Sequence, residues 1–150
     1  MLIRYLLTLV LTVGLVSTAM AAGSSSSSKP SKLAVAEKAI KAGNYQRAIE
    51  LLQKTVARDS RNADAWNYLG FSQRKLKRFD QAFGAYRKAL AIDPDHRGAN
   101  EYLGELYLQT GRLAKAKERL KKLDEVCFFG CDEFDDLKRA IKIYEASHKS

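Results

Sequence analysis

Laid over itself with a shift of 34 residues, this chain keeps its register three times. Gly43, Lys77 and Gly111 fall at one site, Ala48, Ala82 and Ala116 at another, and Leu52, Tyr86 and Leu120 at a third. Upstream, Val35, Leu69 and Leu103 align, followed by Ala36, Gly70 and Gly104, which sets the units at 29–62, 63–96 and 97–130. A fixed period of this size describes a supersecondary unit that cannot bury its apolar face alone and stacks on its neighbours. Each unit carries two amphipathic helical patterns separated by a short turn. The expected fold is therefore all-α, an α-solenoid of three helix-turn-helix units.

The middle unit shows the pattern best. Its first helix carries Trp66, Leu69 and Phe71 after Asn62, a residue suited to an N-cap, and its second carries Phe79, Ala82, Phe83, Tyr86, Ala89 and Leu90 before "DPDH" ends it. The full stretch, "ADAWNYLGFSQRKLKRFDQAFGAYRKALAIDPDH", resembles a tetratricopeptide repeat, with pattern W-x2-L-G-x2-Y, then A-x3-F, then P. Trp66, Leu69, Gly70, Ala82, Tyr86 (for the Phe), Ala89 and Pro94 match, while Gln73 replaces the usual Tyr and Lys77 the usual turn glycine. The third unit restores Tyr107 and Gly111 but has Asn100 at the Trp site and Leu123 at a small-residue site; the first keeps Gly43 and Ala48. Gly70 and Gly104 on first helices, with Ala82 and Ala116 on second helices, are read as points of close backbone approach. Gly84, in mid-helix, has no such reading and costs about 1 kcal/mol relative to Ala.

Beyond residue 130 the register continues for half a unit. Trp66 and Asn100 map to Phe134, Leu69 and Leu103 to Leu137, and Gln73 and Tyr107 to Ile141. The small-residue site of Gly70 and Gly104 holds Lys138, which opposes close packing of a further helix. A capping helix over 132–147 is expected, giving a folded domain of 31–150. Asp132, Glu133, Asp135 and Asp136 crowd its first turns and Lys138, Arg139 and Lys142 follow, the order that a helix dipole favours.

Residues 1–21 read as a signal peptide: Arg4 near the start, an apolar run from Tyr5 to Val16, and an A-x-A pattern at Ala19 to Ala21. The rival is an uncleaved membrane anchor, the one case in which a membrane association is expected. A serine-rich linker, 22–30, follows. Loss of Arg4 lowers the formal charge from +9 to +8, still strongly basic. The expected location is periplasmic or secreted, which removes nucleic acid as a partner and makes a disulfide available.

The only two cysteines, Cys127 and Cys131, flank "FFG". The register puts Phe128 at the site of Pro94, so the pair borders the seam between the third unit and the cap. A disulfide there would brace the cap; the alternatives are free thiols or a small thiol-redox or copper carrier using Cys127 and Cys131. Thioredoxin-like chemistry calls for C-x-x-C beside a βαβ pattern, and a structural zinc site needs four ligands where the chain has two cysteines and two histidines, His96 and His148. His96, in a turn with Asp93 and Asp95, has no Ser or Cys placed to act with it and is expected to be a solvated turn histidine. The chain is thus expected not to be an enzyme, and no cofactor or metal is assigned.

What the resemblance implies is binding of a protein or peptide in a concave groove lined by the first helix of each unit. The family's inward sites fall on Glu37, Ile40 and Lys41; on Asn67, Tyr68, Phe71, Arg74 and Lys75; and on Glu101, Tyr102, Glu105 and Leu108. Tyr68 and Tyr102 equally suit inter-helix packing. The two-carboxylate clamp of chaperone-binding members is not supported, because Leu33, Glu37 and Glu101 stand where it needs Lys, Asn and Arg. A basic surface, Arg74 to Arg78 and Lys115 to Lys122, is expected to face solvent, with docking to an anionic envelope surface as its functional option. A monomer, or weak self-association through the terminal helices, is expected.

Overall fold

A computed structural model describes residues 31–148; the segments read as signal peptide and linker lie outside the described residues. Among the described residues seven helices follow one another: α1 Lys32–Lys41, α2 Tyr45–Arg58, α3 Ala63–Lys75, α4 Phe79–Ile92, α5 Arg97–Gln109, α6 Leu113–Val126 and α7 Asp132–Ser147. Their ends follow from local chemistry. The side chains of Ser31, Asn44, Asn62 and His96 accept hydrogen bonds from the backbone N–H groups of Ala34, Arg47, Ala65 and Ala99 at 3.1, 3.2, 2.8 and 3.2 Å.

Within each pair the chain reverses at the same register site, where φ is +72° at Gly43, +59° at Lys77 and +73° at Gly111. Identical paired hydrogen bonds close the three turns; in the middle unit Lys77 N–H donates to Arg74 C=O and Arg78 N–H to Gln73 C=O, each at 2.9 Å. Lys77 therefore adopts a glycine-like conformation, at a cost on the order of 1 kcal/mol.

Helices pair as α1 with α2, α3 with α4 and α5 with α6; α2, α4 and α6 each meet the helix that follows, and α1, α3, α5 and α7 touch in series along one side. Three apolar clusters run through the stack. The first centres on Ala48, Ile49, Leu52 and Leu69, the second on Ala82, Tyr86, Leu103 and Leu106, and the third on Leu108, Leu123, Leu137 and Ile141. Burying a side chain such as Leu137 completely contributes about 2 kcal/mol.

The glycines are filled from different sources. A Cβ at Gly70 would stand 2.7 Å from two ring carbons of Tyr86, within the same unit. At Gly104 the neighbour is instead Leu137 of α7, with its nearest methyl carbon 2.5 Å from such a Cβ. This corrects the pairing of Gly104 with its own second helix: Leu120, shorter than the Tyr86 it corresponds to, stays partly exposed, and the following helix covers the glycine. A Cβ at Gly84 would meet nothing within 4 Å, so packing does not explain that glycine.

Candidate functional site

Helices α3 and α5 bring most of the inward-register residues together. The rings of Phe71 and Tyr102 lie 4.9 Å apart, and Arg74 places its guanidinium carbon 5.4 Å from the first centroid and 5.6 Å from the second. Arg74 reaches Glu105 at 2.6 Å, and Lys75 lies 5.2 Å over Phe71. Tyr45, at the start of α2, meets Phe71 edge-on at 6.2 Å. Arg74, Lys75, Glu105, Leu108, Gln109 and Ala140 line a cleft of about 330 Å³.

Other inward-register residues divide between floor and rim. Ile40 and Tyr68 pack against the first apolar cluster, and Leu108 belongs to the third while also lining the cleft. Glu37 is half-buried near Tyr68, Lys41 is exposed at the end of α1, and Asn67 and Glu101 are buried. Burial, then Glu37 and Asp64, raise the Tyr68 phenol above its ordinary value.

Burial first, and then neighbouring carboxylates, lift Tyr102 to about 12 and Glu101 to about 8. Burial also pushes Tyr86 far up; the Arg74 guanidinium opposes that shift, yet the Tyr86 hydroxyl makes no hydrogen bond by geometry. Asn67 Oδ1, Gln73 Oε1 and Arg74 Nε are likewise buried without a hydrogen-bond partner.

Two expectations are corrected by this geometry. Arg74 does not belong to the solvated basic face: it is only 5% exposed, because the Phe71 and Tyr102 rings and the Glu105 carboxylate enclose it. The rest of that stretch, Lys75 to Arg78, is exposed, and on α6 Lys115, Lys117 and Lys122 pair with Glu118, Glu145 and Asp95. His96 is not a solvated turn residue either. Its Nδ1 caps α5, and its Nε2 lies 3.0 Å from Asp64 Oδ1 on α3, one unit away. Two partners on opposite ring nitrogens leave the side chain 13% exposed, as a bridge between consecutive first helices.

At the Trp site of the third unit, Asn100 is fully buried. Its Nδ2 donates to Pro94 C=O and His96 C=O at 3.1 Å each, and its Oδ1 accepts from Arg119 at 3.2 Å. These bonds satisfy a polar residue at the site that Trp66 and Phe134 hold in the flanking units.

The register-based reading missed three contributors. Tyr45 joins the aromatic row from a second helix. Ala140 comes from α7, and a further shift of 34 from Tyr102 would have pointed to Asp136 on the same helix. Gln109, at the end of α5, is the third and lines the same cleft. At the seam, the expected disulfide is present. Cys127 and Cys131 form a disulfide with Cα atoms 5.6 Å apart, Cys127 is buried, and Gly130 turns the chain with φ +85°. The loop so closed holds Phe128 and Phe129 86% and 97% exposed, their rings 5.3 Å apart. Only the consecutive aromatics in "CFFGC" signalled that pair.

Among the described residues, no group of three or more His, Cys, Asp and Glu is arranged to hold a metal ion, and no helix is long and apolar enough to cross a membrane.

Stacked helix pairs, with the first helices of successive pairs in contact along one side, define an all-α solenoid. Sequence models of the tetratricopeptide repeat match residues 33–97 and 73–126, and the chain belongs to that family. It is 35% identical over 72 residues to tetratricopeptide repeat protein 37 of Xenopus laevis, covering 48% of this chain and 5% of that protein. The chain thus spans only a small part of the curated relatives it matches.

Among solved structures, the Yersinia enterocolitica type III secretion translocator chaperone SycD superposes with TM-score 0.69 at 19% identity, over 79% of this chain and 92% of that one. The second TPR domain of human RPAP3, solved with an HSP70 peptide, superposes with TM-score 0.66 at 22% identity, over 75% and 92%. At these identities the likeness is one of fold.

Proposed function

We propose that this chain is a non-catalytic, exported scaffold that holds a protein or peptide segment in the groove between α3 and α5. The observation that carries this reading is the Phe71, Tyr102 and Arg74 cluster, with Glu105 behind it, beside an open cleft lined by Arg74, whose Nε is buried without a partner. Aromatic and arginine anchors beside unfilled hydrogen-bonding groups suit a segment that inserts apolar side chains and meets the polar groups with its backbone. Two proteins of similar fold support the class: one is a translocator chaperone, the other was solved with a bound peptide.

The cysteines support a brace rather than a thiol-redox or copper carrier, since they are bonded to each other and Cys127 is rooted in the third apolar cluster. Export belongs to the proposal through residues 1–21. It predicts an N-terminus at Ala22 in protein recovered from the envelope or medium, and recovery with the N-terminal segment intact refutes it. For the groove, affinity capture is compared between wild type and a Phe71→Ala, Arg74→Ala variant whose helicity is checked by circular dichroism. Loss of a captured protein from the folded variant supports the assignment. Unchanged capture refutes it.

A further inference from the structure

Although the whole chain carries a formal charge of +9, carboxylates gather on the α5 and α7 side of the groove. Glu105 on α5 and Glu133 and Asp136 on α7 all act on Glu101. Of the nearby cations, Arg74 reaches Glu105 at 2.6 Å, Arg139 reaches Asp136 at 2.8 Å, and Lys75 lies over the Phe71 ring. Glu101 is left over. The residue is 7% exposed, and among the described residues no hydrogen bond or ion pair reaches its carboxyl, whose oxygens keep an opening to solvent. A carboxylate so far withdrawn from water gains from a donor that meets it there.

The register supplies a second, independent orphan. Glu101 occupies on α5 the inward site that Asn67 holds on α3, 34 residues earlier. Asn67 is 4% exposed, and its Oδ1 is buried without a partner. Gly98 permits the two helices to meet here, since a Cβ on it would stand 3.1 Å from Asn67 Nδ2. Two consecutive inward sites therefore present acceptors without donors. One site further along each helix are Tyr68 and Tyr102, and Tyr102 and Phe71 already show the cation-over-ring geometry with Arg74.

Resting on the groove reading above, we propose that this half of the groove recognises a basic side chain, an arginine or lysine of the bound segment, which donates to Glu101 and stacks on the Tyr102 ring. An acidic segment would meet the Glu105, Glu133 and Asp136 carboxylates instead and be disfavoured.

The protonation state of Glu101 supports the assignment and supplies a readout. Burial, then Glu105, Asp136 and Glu133, outweigh Arg74 and raise it to about 8, so at pH 7 the carboxyl is largely protonated. Tyr102, which Glu101 also acts on, has its phenol raised and is neutral there. An incoming guanidinium favours the ionised form, so binding at pH 7 releases a proton from Glu101, and affinity rises as pH passes through 8 while arginine stays charged.

The test is a titration of the full-length ¹⁵N-labelled chain, followed by amide resonances, with three acetylated and amidated pentapeptides. They share the frame Gly-Leu-X-Leu-Gly, with X as arginine, citrulline or glutamate. The arginine peptide is expected to shift amides around Asn67, Phe71 and Glu101 and to bind about tenfold tighter than the citrulline peptide, with the glutamate peptide weakest. Glu101→Gln is expected to bring arginine and citrulline within about threefold and to remove the pH dependence.

Equal binding of arginine and citrulline by wild type overturns the proposal without any mutation. So does tighter binding of the glutamate peptide, or an arginine preference unchanged in Glu101→Gln. Shifts in the groove with no charge preference leave the groove reading standing and remove this one. An absence of groove shifts with all three peptides removes both.

Discussion

Gly70→Ala and Gly84→Ala make the same chemical change in two helices of one unit, and the structure assigns them opposite signs. At Gly84 a methyl group would meet nothing within 4 Å, so the substitution keeps only the helix-propensity gain, about 1 kcal/mol. At Gly70 the same gain is opposed by the Tyr86 ring, with two carbons at 2.7 Å and a third at 3.0 Å from the new Cβ. Those separations lie well inside van der Waals contact. Tyr86 is fully buried, so its ring has no free space to swing into. Overpacking of this kind costs about 1–3 kcal/mol, and the expected net effect after the helix gain is a loss of up to about 2 kcal/mol.

The two variants should therefore differ by about 1–3 kcal/mol in urea unfolding followed by far-ultraviolet circular dichroism, with unchanged m-values. A Tyr86→Leu change borrows the residue that the third unit has at this site, Leu120, and should relieve the clash. In the Gly70→Ala, Tyr86→Leu double variant the coupling energy should be favourable by about 1 kcal/mol or more. Equal stability of Gly70→Ala and Gly84→Ala, or strict additivity in the double variant, would refute the claim that Tyr86 is seated on the α3 backbone.

Three further outcomes follow from named contacts. Opening the Cys127 to Cys131 ring by reduction should cost about 2 kcal/mol by loop entropy and should lower hydrogen-exchange protection first in α7; replacing Phe128 and Phe129 with Ser should leave stability within about 0.5 kcal/mol, because both are already in water. His96→Ala should cost about 1–2 kcal/mol in thermal or urea unfolding by removing the α5 cap and the Asp64 link, and His96→Asn should recover the cap's share. Glu101 has a folded-state pKa of about 8, above its unfolded value, so its contribution to stability is fully present at low pH and is lost as pH rises through 8. The urea midpoint of wild type should accordingly fall between pH 5 and 8 relative to Glu101→Gln, and parallel profiles would contradict the assignment.

The periodicity carried the fold because its marker residues each do a local physical job. Gly43 and Gly111 sit at positive φ, Asn62 caps α3, and Gly70 meets Tyr86, all within a few residues of where the pattern puts them. What the pattern did not carry were contacts made between units. His96 looked solvated because its sequence neighbours are Asp93 and Asp95, whereas its partner, Asp64, is 32 residues away and arrives only when α3 and α5 stack. Arg74 looked like one member of a basic run. Only the facing Glu105 and Tyr102 of the next unit show that it is enclosed. Asn100, which breaks the pattern at the Trp site, is satisfied by Arg119 from the second helix of its own unit, a compensation invisible to a comparison of aligned sites.

The half-unit at the end of the array shows how packing and specificity are separated on one helix. In α7, Phe134, Leu137, Ile141 and Tyr144 recur at helical spacing and pack into the third apolar cluster, with Leu137 over Gly104. A neighbouring stripe offset by one residue, Glu133, Asp136 and Ala140, adds its charges to Glu101 and a wall to the cleft. The stripes share a helix and meet at Ala140, which also packs against the third cluster, so the first fixes the position from which Glu133 and Asp136 act on the groove. Substituting Glu133 or Asp136 should therefore change the charge that a bound segment meets while leaving the seating of Leu137 intact, whereas trimming Leu137 should loosen both at once. The cap thus sets part of the groove's electrostatic character.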